Sequence, residues 1–342
     1  MYVLGIESSC DETAAAVVTA DQATGSRAIL ANTIYSQTEE HRPFGGVVPE
    51  IAARAHLEKI DIVVGKALED ANLDLSQIDV VAATCGPGLI GGVIVGATFA
   101  KTISMSTGIP FIAINHIAAH ALSIRLTEDV NFPYLLLLAS GGHCQLCLVR
   151  NVDNFEVIGK TIDDSVGESF DKVAKLLGYG YPGGPIIEKM SEEGDDASFQ
   201  LPRPLCQRGS CDFSFSGLKT AVRIATEKCR TEQDKINLGA SFQRTVTGVL
   251  SYKMEQAIIF SRRSGANPTA AVIAGGVAAN RPIRIALQSV CDRHELRFCA
   301  PPTAICTDNG AMIAWMGVEK ARIQQFSNIR FRPRPRWPLD EL

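Results

Sequence analysis

The chain has 342 residues, of which 46% are hydrophobic and 20% are charged, and its formal net charge is −4. This composition excludes a disordered or low-complexity chain, and the length predicts two domains because single cores rarely grow beyond about 250–300 residues. The weak negative charge does not favour nucleic-acid binding over the whole surface, although a local basic patch is sufficient to bind phosphates.

The ten cysteines and the lengths of the apolar segments favour a cytoplasmic protein. The cysteines are scattered through apolar runs rather than clustered as in small secreted proteins, so we expect free thiols. No apolar run reaches the roughly 18 residues of a membrane span. The first residues, 2–6, are typical of a strand and carry no signal-peptide pattern. We therefore expect a cytoplasmic protein that is not bound to a membrane.

Strand-like and helix-like segments alternate along the first 130 residues. Apolar runs with strand character are followed by helical periodicity, as expected for an α/β domain with helices on the faces of a mixed sheet. The predicted strands are 2–6, 13–19, 29–36, 79–84 and 110–114, and the predicted helices are 49–71, 89–106 and one that begins at His116.

The pattern restarts near residue 134, since a strand, a small-residue turn and a second strand occur both there and at residue 2. The predicted strands of this half are 134–138, 144–150, 155–161 and 270–274, and the predicted helices are 168–178, 184–192, 216–229 and 236–262. The repeat predicts a duplicated α/β fold of two lobes with a central cleft, with chance similarity of generic segments as the alternative. We expect an N-terminal lobe of residues 1–130, completed by about 300–342, and a C-terminal lobe of 131–299.

Two histidines, His116 and His120, are four residues apart at the predicted start of a helix. This spacing places both imidazoles on one helix face, which suits two ligands of one metal ion. The spacing also occurs in zinc peptidases, but those need a glutamate directly after the first histidine, and Ile117 stands there. The peptidase interpretation is therefore disfavoured.

Asp308 is a candidate third ligand because it lies where a loop meets the predicted helix that starts near Ala311. The alternative is that Asp308 caps this helix, and both roles are compatible. Two histidines and a carboxylate leave coordination positions open, which favours a catalytic ion over a structural one. By contrast, Cys144 and Cys147 would point to opposite faces of a strand, so we interpret them as buried structural residues.

Three turns rich in glycine or serine follow apolar strands, and small residues of this kind let backbone amides approach phosphates. They are residues 7–11, 140–143 and 275–277. Glycines also end strands for steric reasons alone, so each turn is weak evidence by itself. Two of the turns occupy equivalent places in the repeated halves, which strengthens the prediction of a nucleotide site.

Seven segments together resemble the TsaD family, the bacterial tRNA N6-adenosine threonylcarbamoyltransferases, within the actin, Hsp70 and sugar-kinase superfamily. They are residues 5–13, 115–120, 139–143, 170–172, 181–185, 213–219 and 275–280. The resemblance implies transfer of a threonylcarbamoyl group from threonylcarbamoyl-adenylate to the adenosine beside the anticodon of tRNAs that read ANN codons. An ATP-consuming kinase or ATPase of the same fold and a metallopeptidase are the alternatives.

The resemblance also implies site residues. His116, His120 and Asp308 match metal ligands for one divalent ion, iron by preference and zinc as the second choice. The positions that match adenylate-binding residues are Leu138, Ala139, Ser140, Gly141, Gly142, Asp171, Gly184, Glu188 and Asn280. Glu188 stands where many members carry aspartate, so the carboxylate is kept on a side chain that is one methylene longer. Asp11 and Glu12 are candidate bases or orienting groups for the attacking amine, with a solvated turn as the alternative.

The resemblance implies partners besides tRNA and the adenylate. These are a degenerate paralogue similar to TsaB, an ATPase similar to TsaE, and an enzyme similar to TsaC that supplies the adenylate. Residues 330–338 carry four arginines interleaved with aromatic residues and prolines. We expect this segment to contact RNA, and an extended solvated tail is the alternative.

Overall fold

Two five-stranded sheets organise the computed structural model, which describes residues 1–21, 23–44, 46–206 and 209–342. The chain forms two compact units, the first of residues 1–128, 152–154 and 307–342 and the second of residues 129–151 and 155–306. The predicted division placed the boundaries at 130 and at about 300. In the described part of the chain, no helix is both long and apolar enough to cross a membrane.

The sheet of the first unit has the strand order β3-β2-β1-β4-β5. Its strands are β1 (Tyr2–Glu7), β2 (Glu12–Ala20), β3 (Arg27–Ser36), β4 (Val80–Gly86) and β5 (Phe111–Asn115). Strand β1 pairs antiparallel with β2 and parallel with β4, and β4 pairs parallel with β5. The central strands are buried along almost their whole length, which explains their continuous apolar runs.

The described residues of the first unit form six α-helices. They are α1 (Thr38–His41), α2 (Pro49–Asp70), α3 (Ile90–Thr107), α4 (His116–Leu122), α5 (Ile124–Thr127) and α11 (Gly310–Arg322). The predicted helices 49–71 and 89–106 are confirmed to within one residue at each end. The short helix α1 lay outside the prediction because four residues carry too little periodicity to show a helix.

The sheet of the second unit has the order β10-β9-β6-β7-β8. Its strands are β6 (Tyr134–Ala139), β7 (Cys144–Asn151), β8 (Asn154–Lys160), β9 (Ala270–Ala274) and β10 (Arg297–Cys299). Its helices are α6 (Val166–Leu176), α7 (Gly183–Glu193), α8 (Ser216–Thr226), α9 (Glu232–Arg263) and α10 (Arg281–Arg293). Helix α9 begins four residues before the prediction, because Thr231 and Asp234 form a capping box there.

The two sheets have the same topology. In each one, the first strand of the unit is central, pairs antiparallel with the second strand, and pairs parallel with the fourth, which pairs parallel with the fifth. The duplicated α/β fold that the repeated pattern predicts is therefore present. Cys144 and Cys147 are buried free thiols on β7, in agreement with a structural role.

Helix α11 packs closely on the first sheet because small residues line the contact. A Cβ atom at Gly5 would lie 2.2 Å from the backbone nitrogen of Ala314, and one at Gly317 would lie 2.8 Å from the Cβ of Ala82. Both distances are shorter than real contacts between such atoms, so only glycine allows the helix to approach this closely. This packing fixes where the residues just before α11 are placed.

Replacing Gly5 with alanine should therefore destabilise the protein by about 1–3 kcal/mol, the usual cost of forcing a methyl group into a packed core. The matched control is Gly65→Ala on α2, where an added Cβ meets no atom within 4 Å. That control should be neutral or stabilising by up to about 1 kcal/mol, since alanine favours helix more than glycine. Urea unfolding measures both, and equal midpoints for the two variants would contradict the packing argument.

Candidate metal centre and adenylate-binding residues

Helix α4 presents His116 and His120 together. Asn115 is the N-cap residue of this helix, and its side-chain oxygen accepts hydrogen bonds from the backbone amides of Ile117 at 2.9 Å and Ala118 at 3.1 Å. The two imidazole centroids are 4.7 Å apart, and both side chains are buried. The predicted helix start and the shared helix face are both confirmed.

Asp308 lies beside both rings. Its Oδ1 atom is 3.0 Å from Nε2 of His120 and 3.6 Å from Nε2 of His116. Helix α11 is capped instead by Asn309, whose side-chain oxygen accepts a hydrogen bond from the amide of Met312 at 3.0 Å. The prediction that Asp308 caps this helix is therefore wrong, since the neighbouring residue has the capping geometry and Asp308 faces the histidines.

The three side chains fit a divalent metal ion. One ligand atom from each of His116, His120 and Asp308 lies within 4.8 Å of the others. Two imidazoles and one carboxylate suit Fe²⁺ or Zn²⁺ and leave positions open for a substrate. The ligand set suits both ions and does not select one of them.

Glu7 is a site residue that the sequence analysis missed. It was assigned to a phosphate-binding turn, but it is the last residue of β1 and is fully buried. Its Oε2 atom lies 2.9 Å from Nδ1 of His116 and accepts a hydrogen bond from Thr84 Oγ1 at 2.6 Å. An ionised carboxylate can only accept a hydrogen bond, so it fixes the hydrogen of the imidazole on Nδ1. The unprotonated Nε2 of His116 is then directed toward Asp308.

The charges of this cluster lower the pKa of Glu7 and raise the pKa of His116. Burial raises the pKa of Glu7, but the charge of His116 and the hydrogen bond to it outweigh burial and lower that pKa overall. Burial alone would lower the pKa of His116, but the carboxylates of Asp308 and Glu7 raise it to about 9. A cation is therefore favoured between these carboxylates, and a metal ion would take the place of the proton.

Asp11 and Glu12 follow Glu7 across the turn between β1 and β2, and both are partly buried. This burial argues against a fully solvated turn. Burial, followed by the charges of Asp308 and Asp11, raises the pKa of Glu12 to about 10. The catalytic roles of Asp11 and Glu12 stay a prediction.

A buried histidine, His56 on α2, holds this turn in place. Its Nε2 atom lies 3.1 Å from the carbonyl oxygen of Cys10, and its Nδ1 atom lies 2.8 Å from Thr13 Oγ1. On the other side of the turn, Ser8 Oγ donates a hydrogen bond to the carbonyl of Gly92 at 2.9 Å. The contact of His56 with this turn could not be predicted from the sequence, because a single histidine on an amphipathic helix looks like any other core residue.

In the second unit, the predicted phosphate-type turn follows β6. Leu138 and Ala139 are fully buried, whereas Gly141 and Gly142 are exposed. The turn is closed by a hydrogen bond from the Ser140 amide to the His143 carbonyl at 2.8 Å. A Cβ at Gly275 would lie 2.5 Å from the Ala139 carbonyl oxygen, so the Gly275 turn packs directly on this one.

Three other predicted adenylate-binding residues, Asp171, Glu188 and Asn280, each form a hydrogen bond with a residue outside the predicted set. Asp171 accepts a hydrogen bond at 2.7 Å from the amide of Gly183, next to Gly184, and Glu188 accepts one at 3.2 Å from the amide of Arg281. Asn280 caps α10 and exchanges two amide hydrogen bonds with Gln243, at 2.9 and 3.0 Å. Asn280 therefore supports the turn with its side chain. Direct contact of these residues with a nucleotide stays a prediction.

Replacing Glu7 with glutamine should weaken metal binding 10–100-fold, the usual effect of losing a carboxylate that orients a ligating histidine. His116→Ala should abolish stoichiometric binding. The control is Glu156→Gln, which removes a carboxylate exposed on β8. Titration with Zn²⁺ and measurement of bound metal after dialysis test the three variants. Unchanged affinity in the Glu7 variant, with normal folding by circular dichroism, would contradict the orienting role.

Comparisons with known proteins identify the family of this chain. The family model described as "TsaD: tRNA N6-adenosine threonylcarbamoyltransferase" matches residues 28–315. The tRNA N6-adenosine threonylcarbamoyltransferase of Rhodospirillum rubrum is 56% identical over 99% of this chain and 94% of its own. The enzyme of the same name from Brucella canis is 54% identical over 100% of this chain and 96% of its own.

Solved structures share the fold at low identity. HypF from T. kodakarensis has a TM-score of 0.63 at 13% identity and covers 94% of this chain and 48% of its own. A ROK hexokinase from Thermus thermophilus has a TM-score of 0.50 at 17% identity and covers 95% of this chain and 100% of its own. These likenesses show that the fold is shared with proteins of known structure. From the family match and the full-length relatives together, the chain belongs to the TsaD family of tRNA N6-adenosine threonylcarbamoyltransferases.

Proposed function

We propose that this protein transfers a threonylcarbamoyl group from threonylcarbamoyl-adenylate to the N6 amine of the adenosine at position 37, beside the anticodon, of tRNAs that read ANN codons. The observation that carries the proposal is the 54–56% identity, over 99–100% of the chain, to enzymes named for this reaction. The cluster of His116, His120 and Asp308 supports it, because a metal ion held by these ligands would bind anionic groups beside a partly buried turn.

The reaction needs one bond to form and one to break. The N6 amine attacks the carbamoyl carbon, the bond from that carbon to the phosphate oxygen breaks, and AMP leaves with the electron pair while the amine loses a proton. The donor is a mixed anhydride and is already activated. The protein therefore has mainly to orient the two reactants and stabilise developing negative charge.

In this proposal the first unit holds a divalent metal ion through His116, His120 and Asp308, with iron preferred and zinc second. A bound ion of this type acts as a Lewis acid that binds phosphate and carbonyl oxygens. Glu7 keeps the ring of His116 oriented. This role follows from the 2.9 Å contact between Glu7 Oε2 and His116 Nδ1.

The second unit would hold the adenylate. The exposed backbone of Gly141 and Gly142 is suited to phosphate oxygens, since glycine amides can approach an anion closely. Asp171 lies on α6 and contacts the start of α7, and Glu188 lies in the middle of α7. Their carboxylates supply acceptors that suit hydroxyl groups of a ribose. Both carboxylates already accept one backbone hydrogen bond, which fixes their orientation.

Asp11 or Glu12 would orient the attacking amine or accept its proton. Asp11→Asn and Glu12→Gln keep the side-chain volume and remove the carboxylate, so loss of a general base should reduce transfer about 100–10,000-fold. The measurement is single-turnover transfer from threonylcarbamoyl-adenylate to tRNA, with bound metal quantified in each variant. Full activity in both variants, with metal retained, would assign the proton to another acceptor.

We further propose the family's partners for this chain: a paralogue similar to TsaB, an ATPase similar to TsaE, and an enzyme similar to TsaC that makes the adenylate. A reconstitution with labelled threonine, bicarbonate, ATP and tRNA, omitting one protein at a time, tests the whole assignment. Label should enter tRNA only when this chain is present. ATP consumption without tRNA would favour a kinase or ATPase, and cleavage of a protein substrate without nucleotide would favour a peptidase.

A further inference from the structure

Residues 330–337, which we call the basic segment, carry Arg330, Arg332, Arg334 and Arg336, and all four arginines are exposed. They stand in a chain whose net charge is −4. In the part of the chain that the structure describes, Arg330, Arg332 and Arg336 form no ion pair with an acidic side chain. Their charge is therefore available to an external anion.

The backbone of the basic segment is fixed on the first unit. The Arg334 amide donates a hydrogen bond to the Cys85 carbonyl at 2.7 Å, and the Gly88 amide donates one to the Pro335 carbonyl at 3.2 Å. Gly86 has φ of +133°, and a Cβ there would lie 1.8 Å from the Arg334 carbonyl oxygen, so the contact requires glycine. The alternative of an extended solvated tail is therefore wrong for this backbone.

Aromatic packing anchors the same segment. Trp337 is 7% exposed and its ring centroid lies 5.1 Å from that of Phe331. The guanidinium of Arg334 lies over both rings, 5.5 Å from the centroid of Phe331 and 5.4 Å from that of Trp337. Arg334 therefore serves the packing, and the other three arginines remain for binding.

Two prolines keep the middle of the basic segment extended, because Arg332 and Arg334 each precede a proline. Arg330 lies in a turn that is closed by a hydrogen bond from the Phe331 amide to the Asn328 carbonyl at 2.9 Å. The Cα atoms of Arg332 and Arg336, four residues apart, are separated by at most about 14 Å, which lets both guanidiniums contact phosphates of one RNA strand. Because the segment is already ordered, binding loses little conformational entropy.

The basic segment is also joined directly to the helix that carries the metal ligands. The side-chain amide of Asn115 donates a hydrogen bond to the Trp337 carbonyl at 2.8 Å. The same side chain caps α4, which begins with His116. Arg336 therefore stands next in sequence to Trp337, whose carbonyl contacts the N-cap residue of the helix with the candidate metal ligands.

We propose that the basic segment binds the phosphate backbone of the acceptor RNA. The inference rests on the proposed function, which makes RNA the acceptor. An arginine guanidinium binds a phosphate through bidentate hydrogen bonds, so the basic segment needs no pocket for a particular base. The contribution is electrostatic, so it weakens as salt is added and does not depend on the RNA sequence.

The test replaces the three unpaired arginines, R330Q/R332Q/R336Q, and leaves Arg334 because it packs on the aromatic rings. Substitution is preferred to removal of the segment, since removal also takes away the Trp337 carbonyl that holds Asn115. Binding of an unmodified tRNA transcript to the purified chain is measured over a KCl series. Loss of three phosphate contacts should lower the slope of log Kd against log salt by about 2–3 and weaken binding at least about tenfold near 0.1 M salt.

The matched control is R223Q/K228Q/R230Q, which removes the same charge from exposed positions of the second unit. We expect its slope to stay within experimental error of the parent chain. A second variant, R330K/R332K/R336K, keeps the charge and should restore most of the slope. The glutamine variant, the control and the lysine variant should all match the parent chain in bound metal and in melting temperature. This match would show that a loss of RNA binding does not come from a loss of folding.

An unchanged slope in R330Q/R332Q/R336Q, or an equal loss in the control, would overturn the inference. Its failure is distinguishable from failure of the proposed function. If the parent chain transfers threonylcarbamoyl to tRNA and the variant keeps the parent's KM for tRNA, only the role of the basic segment fails. If the parent binds tRNA with the expected slope but no transfer occurs with all partners supplied, the proposed function fails and the RNA surface stands.

Discussion

The carboxylate of Glu7 is buried at the carboxyl end of the central strand β1, and groups from three elements meet on it. Thr84 at the end of β4, the Ser9 amide in the following turn, and His116 at the start of α4 all lie within hydrogen-bond distance. A buried charge is costly unless it is paired and hydrogen-bonded, so these contacts are mutually required. The carboxylate thus links the sheet, the turn with the acidic pair, and the helix with the metal ligands.

The duplicated fold puts different chemistry at one equivalent place. Glu7 is the last residue of β1 and pairs with Ala14, and Ala139 is the last residue of β6 and pairs with Cys144. In the first unit this position holds a carboxylate that supports a cation site. In the second it holds a small residue, followed by glycines whose amides suit an anion. The two halves thus differ in the side chain at the end of the central strand while their topology stays the same.

Much of this could be predicted from the sequence, because the strands are long apolar runs and the histidine pair has helical spacing. The missed features depend on tertiary burial. Glu7 stands in a polar run that resembles a turn, and only its place in the middle of the sheet makes it interior. The capping residue before α11 could not be chosen locally, since Asp308 and Asn309 are both good caps. The choice is made by the close packing of that helix on Gly5, which lies far away in the sequence.

The first unit is discontinuous, since residues 307–342 pack with residues 1–128 while most of the residues between them form the second unit. A ribosome delivers these pieces in order, so His116 and His120 emerge long before Asp308 and the Trp337 carbonyl that holds their helix cap. The second unit has nearly all of its residues in one continuous stretch and can complete its core first, which reverses the usual order of domain folding during synthesis. A metal ion would accordingly meet the complete ligand set only late in synthesis, after the residues of the second unit have been delivered.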